Sequence, residues 1–581
     1  MLTVSPKKWI ARSDITGKTG EVLESHASQI AQKTTLTPLM AQLLALRNIS
    51  PEDVETYLHG SLSHLPDPFL LKGMPEAIKR IQDEISAGRD ILISADFDVD
   101  GISACSLLVD FFARIGVNAY KFIPNRKIDG YGLSRRALRR AAEIGIKLVI
   151  SVDCGISAVE EAAYAKELGL DLIITDHHQP PKTLPEALAI INPHQDGCVF
   201  PFKDLCGAGV AFFLAVAVRK ELREAGHFEQ RPEPNLKHSL DLVGLATIAD
   251  IVPLIGINRI MTKVGLELMD GNTRPGLVAL RQAANVNRVC CGTVAFGLAP
   301  RINAAGRISE GRLAADMLLE TDLPAALKIA EDLDKLNQQR QDIEKRTTEE
   351  AIARVEQGEH GRRTIVLAAE GWHPGVIGIV ASRLVELYHR PTIIISLEDN
   401  KGKGSGRSIR GFHLFQNLGA CHEHLLGFGG HECAAGLTIS KDRIPAFADA
   451  FDRLAENLLT EEDMRPTAVF DAEIRLGEIG LSFVEQLRLM EPHGVGNPGP
   501  VFLARGVTVN HLRQVGTEGQ HLSCMAEDGG CQIKCIGFSL GHLAESLAGQ
   551  KIDMLFKPSI NEWNGRVTVQ AEVQDIRVQD H

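Results

Sequence analysis

The chain has 581 residues, 44% hydrophobic and 23% charged, an ordinary globular composition long enough for roughly three to five domains. Its net charge of −12 excludes a protein that holds nucleic acid by bulk charge, so any such contact must come from local basic patches. The 11 cysteines form no Cys-x-x-Cys pair and the longest apolar run is only Gly207 to Val218, which excludes a disulfide framework and a membrane-spanning helix.

Residues 1 to about 75 read as a helical preface, with Ser50-Pro51-Glu52-Asp53 as a good helix start. From about 75 to 195, strands alternate with helices. Apolar, β-branched runs fall at 91–95, 119–123, 147–152, 172–175 and 189–191, and helical stretches at 102–115, 134–144 and 157–169. The alternation predicts an α/β fold with a parallel sheet, whose ligands bind beyond the carboxyl ends of the strands. The first strand ends in Asp96, Asp98 and Asp100, three carboxylates at alternate positions. They repel one another unless divalent cations sit between them; the plain alternative is an acidic turn with one Asp as helix cap. The other strands end in Asn125-Arg126, in Asp153, in Asp176-His177-His178 and in Asn192-Pro193-His194. Asp and His converging on one edge favour a metal site over a set of caps. Asp250 follows an apolar helical run and needs a partner there, for which ligation is the natural answer. Between Lys121 and Arg140, seven cations (Lys121, Arg126, Lys127, Arg135, Arg136, Arg139, Arg140) face only Asp129, the best electrostatic footprint for a nucleic-acid backbone. Tyr131 is placed to stack on a base. Arg301 and Arg307 flank Asn303 in a Gly/Pro-rich turn and are candidates to hold a terminal phosphate.

Residues 322 to 357 read as one long polar helix with a thin apolar stripe, either a bridge between two lobes or half of a helical hairpin. Residues 362 to 460 read as a second α/β lobe. Its focus is Lys401 to Arg410, with four cations and three glycines, expected to let backbone N–H groups approach an anion. Cys421-His422-Glu423-His424, with His431 and Cys433, falls short of a structural zinc pattern. From about 466, short strands between Gly and Asn turns predict a small barrel or sandwich. Nine basic against 14 acidic residues there give no compositional sign of DNA binding, and Trp563 is the one candidate stacking platform.

Taken together, DFDVDG at 96–101, IPNR at 123–126, VDCG at 152–155, DHH at 176–178 and TIADIVPL at 247–254 resemble the DHH phosphoesterase superfamily and, within it, the RecJ family. Further matching segments are Ala299-Pro-Arg301-Ile-Asn303-Ala-Ala-Gly-Arg307, Gly371 to Arg383, Gly429-Gly430-His431, Glu491 to Pro500 and Asn561 to Gly565. The match runs from about residue 50 to the carboxyl terminus, with two small departures: Ala95 stands where Gly is expected and His493 where Phe is expected. The resemblance implies a DHH catalytic domain (76–321), a connecting helix (322–360), a DHHA1 domain (361–460) and an OB-like barrel (466–581). It implies a bacterial, cytoplasmic exonuclease that degrades single-stranded DNA 5′→3′ to nucleoside 5′-monophosphates in repair and recombination. Two Mn²⁺ or Mg²⁺ ions would be held by Asp98, Asp100, Asp153, His177 and Asp250, with imidazole nitrogen favouring Mn²⁺. Asp96 would ligate or orient water, Asp176 would ligate or orient the histidines, and His178 would donate to the phosphate in the transition state. Asn125 and Arg126, with Arg407, Ser408, Arg410 and His431 of the second lobe, would track the substrate. A single-stranded-DNA-binding protein and a recombination helicase are the partners it suggests. The rivals are a DHH hydrolase of small phosphoesters and a non-catalytic DNA or replication scaffold.

Overall fold

The computed structural model describes residues 7–18, 20–126, 128–130, 132–358, 362–563 and 566–579. Lys127 and Tyr131 lie outside the described residues, as does the side chain of Trp563. The chain divides into two compact units, one made of Gly60–Ile343 with Pro492–Pro498, the other of Met1–His59, Glu344–Glu491 and Gly499–His581.

In the first unit, Ile91–Ala95 (β1), Ala119–Phe122 (β2), Leu148–Val152 (β3), Asp171–Thr175 (β4) and Ala189–Ile191 (β5) form one parallel sheet in the order β2-β1-β3-β4-β5. Every residue of β1 and β3 is buried, as central strands covered on both faces require. Val99–Arg114 (α1), Arg135–Glu143 (α2) and Val159–Glu167 (α3) make the crossovers. Successive strands leave β1 in opposite directions, so a crevice opens beyond the carboxyl ends of β1 and β3. Strand order thus delivers Asp96 and Asp153 to one place. The apolar run found in the sequence is the buried helix Gly207–Glu224 (α4), which packs with Leu240–Ala249 (α5) and α1. Among the described residues no helix is long and apolar enough to cross a membrane.

The long polar segment is one helix, Leu323–Gly358, with Ala326, Ala330 and Leu333 of its stripe fully buried. In the second unit, Ile365–Glu370 (β6), Thr392–Glu398 (β7), Lys401–Arg407 (β8), Leu425–Gly430 (β9) and Ala434–Ser440 (β10) form a sheet ordered β9-β10-β8-β7-β6. The glycine-rich run expected to open its backbone N–H groups to an anion is instead strand β8, its residues paired with β7 and β10 on both sides. Its glycines make room for aliphatic neighbours. A Cβ at Gly402 would lie 2.6 Å from Ile395 Cγ2, and one at Gly404 2.7 Å from Leu437 Cδ1.

Phe502–Val515 (β11), His521–Asp528 (β12), Cys531–Gly537 (β13), Lys551–Trp563 (β14) and Arg566–Val578 (β15) run in the order β11-β12-β13-β15-β14, and β14 pairs back to β11. This closes the expected barrel, with five strands. The amino-terminal helices share its core, with Met40, Leu43 and Leu44 in one cluster with Phe502 and Phe556. Lys8–Ala11 pairs in parallel with Thr467–Phe470, and the Trp9 indole donates to Asp575 at 2.7 Å. Asp471, with its side chain fully buried, accepts from Arg12 Nε at 2.7 Å, Arg47 Nη1 at 3.1 Å and the Val501 N–H at 2.9 Å. Asp471→Ala strips two mostly buried guanidiniums of their shared anion and is expected to cost about 3–5 kcal/mol, read as a drop in the urea midpoint.

Candidate metal centre

Beyond β1 the chain turns sharply. Asp98 Oδ1 accepts the N–H groups of Asp100 at 3.0 Å and Gly101 at 3.1 Å, so one oxygen of the acidic triplet does cap α1. The turn closes because residue 101 is glycine: a Cβ there would lie 2.6 Å from the Asp96 carbonyl oxygen. Asp100 is buried against the start of α4, whose Gly207 and Ala208 N–H groups donate to its two oxygens at 2.6 and 2.7 Å. Unpaired amides at a helix start favour an anion, which stabilises the buried carboxylate.

Asp153 leaves β3 with φ +59°, a left-handed conformation that aspartate tolerates better than most side chains. His177, after β4, puts Nε2 3.2 Å from Asp153 Oδ1, 3.6 Å from Asp250 Oδ2 and 3.7 Å from Asp100 Oδ2. Ligand atoms gather in three overlapping groups, each within 4.8 Å: Asp96, Asp98 and Asp153; Asp100, His177 and Asp250; Asp153, His177 and His178. Asp153 is common to the first and third. The cysteine and histidine set at 421–433 forms no such group among the described residues.

The chemistry of the set fits divalent cations. Asp96 Oδ1, Asp153 Oδ1 and His177 Nε2 are buried with no hydrogen-bond partner, a cost of about 1–3 kcal/mol each if nothing else occupies them. Burial, reinforced by neighbouring carboxylates, pushes the Asp96 and Asp153 carboxyls well above their usual range. Burial and the charges of Asp100 and Asp98 push Asp250 up to about 8, and burial draws the His177 imidazole down. Two hard cations would relieve the repulsion and complete the unfilled acceptors together.

Asp176, expected as a possible ligand, joins none of the groups. Its lone pairs are already used: Oδ1 accepts the N–H of His177 at 2.7 Å, the N–H of His178 at 3.0 Å and Nδ1–H of His178 at 2.7 Å, while Oδ2 accepts the N–H of Ile156 at 2.9 Å. It orients the His178 imidazole and pins the backbone of both histidines. Burial works against the charge of this pair, yet the mutual hydrogen bond and attraction hold Asp176 below the usual carboxylate range and His178 up at about 9. His178 is thus a cationic donor at the rim of an acidic cluster. Asn192 fixes the same loop, donating to the His178 carbonyl at 2.9 Å and accepting the His194 N–H at 2.8 Å.

The expected substrate-binding residues fare unequally. Arg126 lies 5.4 Å over the Phe97 ring, where desolvation lowers its pKa against the pull of Asp96. Asn125 turns the chain, its N–H donating to Asp129 Oδ2 at 2.8 Å. Arg301, Asn303 and Arg307 lie on the helix Ala299–Ile308, not in a turn. Arg301 is committed to structure, with Asp334 at 2.8 Å and the Gly297 carbonyl at 2.6 Å. Arg307 follows Gly306, where a Cβ would lie 2.6 Å from the Phe97 carbonyl; that close approach seats the helix against the acidic turn. The basic run is largely paired by acids within and outside it: Lys121 with Asp316 at 2.9 Å, Arg135 with Glu160 at 3.0 Å, Arg136 with Asp129 at 2.6 Å and Arg140 with Glu143 at 3.6 Å. It is a weaker footprint than the sequence suggests. In the second unit, Arg407 opposes Ala434 across the sheet, Ser408 Oγ donates to the Phe412 carbonyl at 2.7 Å, the His431 N–H donates to the Ala434 carbonyl at 2.8 Å, and Arg410 is exposed. These residues gather at one end of the sheet.

Sequence reasoning missed Gly207 and Ala208. Their signal was a pair of glycines, Gly207 and Gly209, opening the longest apolar run of the chain, a ready anion-binding helix start.

Comparison with known proteins agrees with this layout. Family models match at residues 90–247 (DHH family, N-terminal domain), 361–457 (DHHA1 domain) and 470–575 (RecJ OB domain). The single-stranded-DNA-specific exonuclease RecJ of Bacillus subtilis is 38% identical over 563 residues, covering 96% of this chain and 70% of that protein. The protein of the same name from Escherichia coli is 35% identical over 560 residues, covering 93% and 96%. The crystal structure of RecJ in complex with Mn²⁺ from Thermus thermophilus matches with a TM-score of 0.83 at 28% identity, over 100% of this chain and 81% of that one; its Mg²⁺ complex matches with a TM-score of 0.77.

Proposed function

The chain belongs to the RecJ family of single-stranded-DNA-specific exonucleases, and on that premise we propose that it hydrolyses single-stranded DNA from the 5′ end to nucleoside 5′-monophosphates. The observation that carries the reading is the set of three ligand groups at the sheet edge, linked through Asp153 and His177, with the cationic His178 among them.

Asp98 and Asp153, with Asp96, would hold one divalent cation; Asp100, His177 and Asp250 would hold the other. When bound, such a pair supplies a nucleophile at neutral pH and offsets charge on the attacking and leaving oxygens. The protein supplies the rest. The Gly207 and Ala208 N–H groups hold Asp100 in place and favour its charged form against the upward push of burial, and Asp176 fixes the His178 imidazole and the His177 backbone. His178, charged through its bond to Asp176, donates from Nε2 to a non-bridging phosphate oxygen as negative charge gathers there. Arg307 holds the terminal 5′-phosphate, and the imidazole nitrogen favours Mn²⁺ over Mg²⁺. Arg407, Ser408, Arg410 and His431 would contact the DNA backbone. The work of such an enzyme lies in DNA repair and recombination in the bacterial cytoplasm, with a single-stranded-DNA-binding protein and a recombination helicase as partners.

Arg307→Ala is expected to lower the rate on 5′-phosphorylated ends by roughly 30-fold, the loss of about 2 kcal/mol of charge-assisted hydrogen bonding, and to leave unphosphorylated ends little changed. An unchanged ratio of the two rates would remove Arg307 from that role. The reading as a whole is tested with 5′-labelled and 3′-labelled single strands in Mn²⁺, Mg²⁺ or chelator. Metal-dependent release of the 5′ label as a mononucleotide, with the 3′-labelled strand shortening stepwise, supports it. The reverse pattern overturns the polarity, and no cleavage with either metal overturns the activity.

A further inference from the structure

Glu491 to Pro500 is singled out by the sequence, yet no step above uses it. Its Pro492–Pro498 part belongs to the compact unit that holds the acidic cluster. There it forms a tight turn. Gly494 and Asn497 exchange N–H···O bonds of 3.0 and 3.1 Å, and the Asn497 side chain, 1% exposed, donates to the Pro492 carbonyl at 2.9 Å. From this turn the Val495 carbonyl accepts the Leu254 N–H at 2.8 Å. Glycine is needed on both sides of that bond. A Cβ on Gly494 would lie 2.7 Å from Leu254 Cδ1, and one on Gly496, whose φ is +73°, 3.1 Å from Pro253 Cβ and 3.2 Å from Ile255 Cγ2.

The receiving segment begins at Asp250. Its next residue, Ile251, has φ +61°, a strained outlier for a β-branched side chain. Ile251 is 68% exposed, so burial of its own side chain does not hold it there. Strain of this kind persists only where the surroundings over-determine the backbone. Two anchors do so just downstream: the Leu254–Val495 bond, and Asn258 Nδ2 donating to the Pro253 carbonyl at 3.0 Å.

We infer that the turn 492–498 is a latch that holds residues 250–255 in their strained form and so positions Asp250 against His177, making Asn497 and Gly496 positioning residues for the metal centre. The inference rests on the divalent-cation reading of that centre.

The test measures Mn²⁺ binding by titration calorimetry on the full-length chain, with turnover as a second readout. Asn497→Ala is expected to weaken Mn²⁺ binding about tenfold, the usual effect of removing a partner that orients a ligand. Excess Mn²⁺ should restore its kcat, with KM for DNA unchanged. Adding Ile251→Gly should recover most of the affinity, because glycine adopts φ +61° without strain and no longer drives the segment away. Gly496→Ala, a smaller change, is expected to act in the same direction and serves if Asn497→Ala fails to fold. Wild-type Mn²⁺ affinity in both variants, or no recovery with Ile251→Gly, overturns the latch. Asp98→Asn separates the two levels: if it too binds Mn²⁺ as the wild type does, the metal-centre reading falls. If it alone loses binding, only the latch falls.

Discussion

Replacing Asp98 by asparagine is expected to cut DNA hydrolysis by roughly 10³-fold, equivalent to about 4 kcal/mol of transition-state stabilisation. The substitution separates the two jobs of this side chain. The amide oxygen of the substituted side chain still accepts the N–H groups of Asp100 and Gly101, so α1 keeps its cap and stability should move by less than about 1 kcal/mol. Only the charge is lost. Asp98→Ala would remove cap and charge together and blur the reading. Single-turnover rates in saturating Mn²⁺, alongside circular dichroism melts, decide the matter. A full rate in a folded Asp98→Asn protein would mean that the acidic turn is a cap and no more.

Gly207→Ala should be nearly as severe, although residue 207 touches no substrate. The added methyl would lie 2.6 Å from Asp153 Cβ and 2.8 Å from Asp153 Oδ1. Asp153 must then move, or α4 must retreat and weaken the two N–H bonds to Asp100. Either shift displaces a carboxylate proposed as a ligand, and activity is expected to fall about 10²-fold. Overpacking adds a stability loss of about 1–3 kcal/mol, so the rate is best measured well below the melting point. A near-wild-type rate would show that the centre tolerates displacement of its shared carboxylate.

The sheet edge was legible because strand periodicity and strand-end residues are local signals, and parallel α/β topology then does the gathering. Asp96, Asp98, Asp100, Asp153 and His177 are brought to one edge by the sequence pattern alone. The part of Asp176 is not fixed that way, since its spacing to the histidines fits ligand and orienting partner alike; only the hydrogen bonds from His177, His178 and Ile156 decide. The glycines of 402–406 misled for a similar reason. A glycine that frees a loop and one that makes room for Ile395 or Leu437 look the same in sequence. Arg301 was read as a phosphate holder because Asp334, far along the chain, was invisible as its partner. The basic run lost its force in the same way.

The bond from Trp9 to Asp575 spans 566 residues of chain. At ribosomal speeds of 5–20 residues per second, the indole is synthesised roughly 30–110 s before its acceptor exists. The amino-terminal helices must wait through that interval, with Met40, Leu43 and Leu44 lacking the barrel that later covers them. The parallel sheet, by contrast, is encoded in one uninterrupted stretch and can assemble while translation continues. The order of assembly is therefore the reverse of the order of synthesis at the amino terminus: what is made first is finished last, and a prematurely terminated chain exposes its oldest segment to chaperones and proteases.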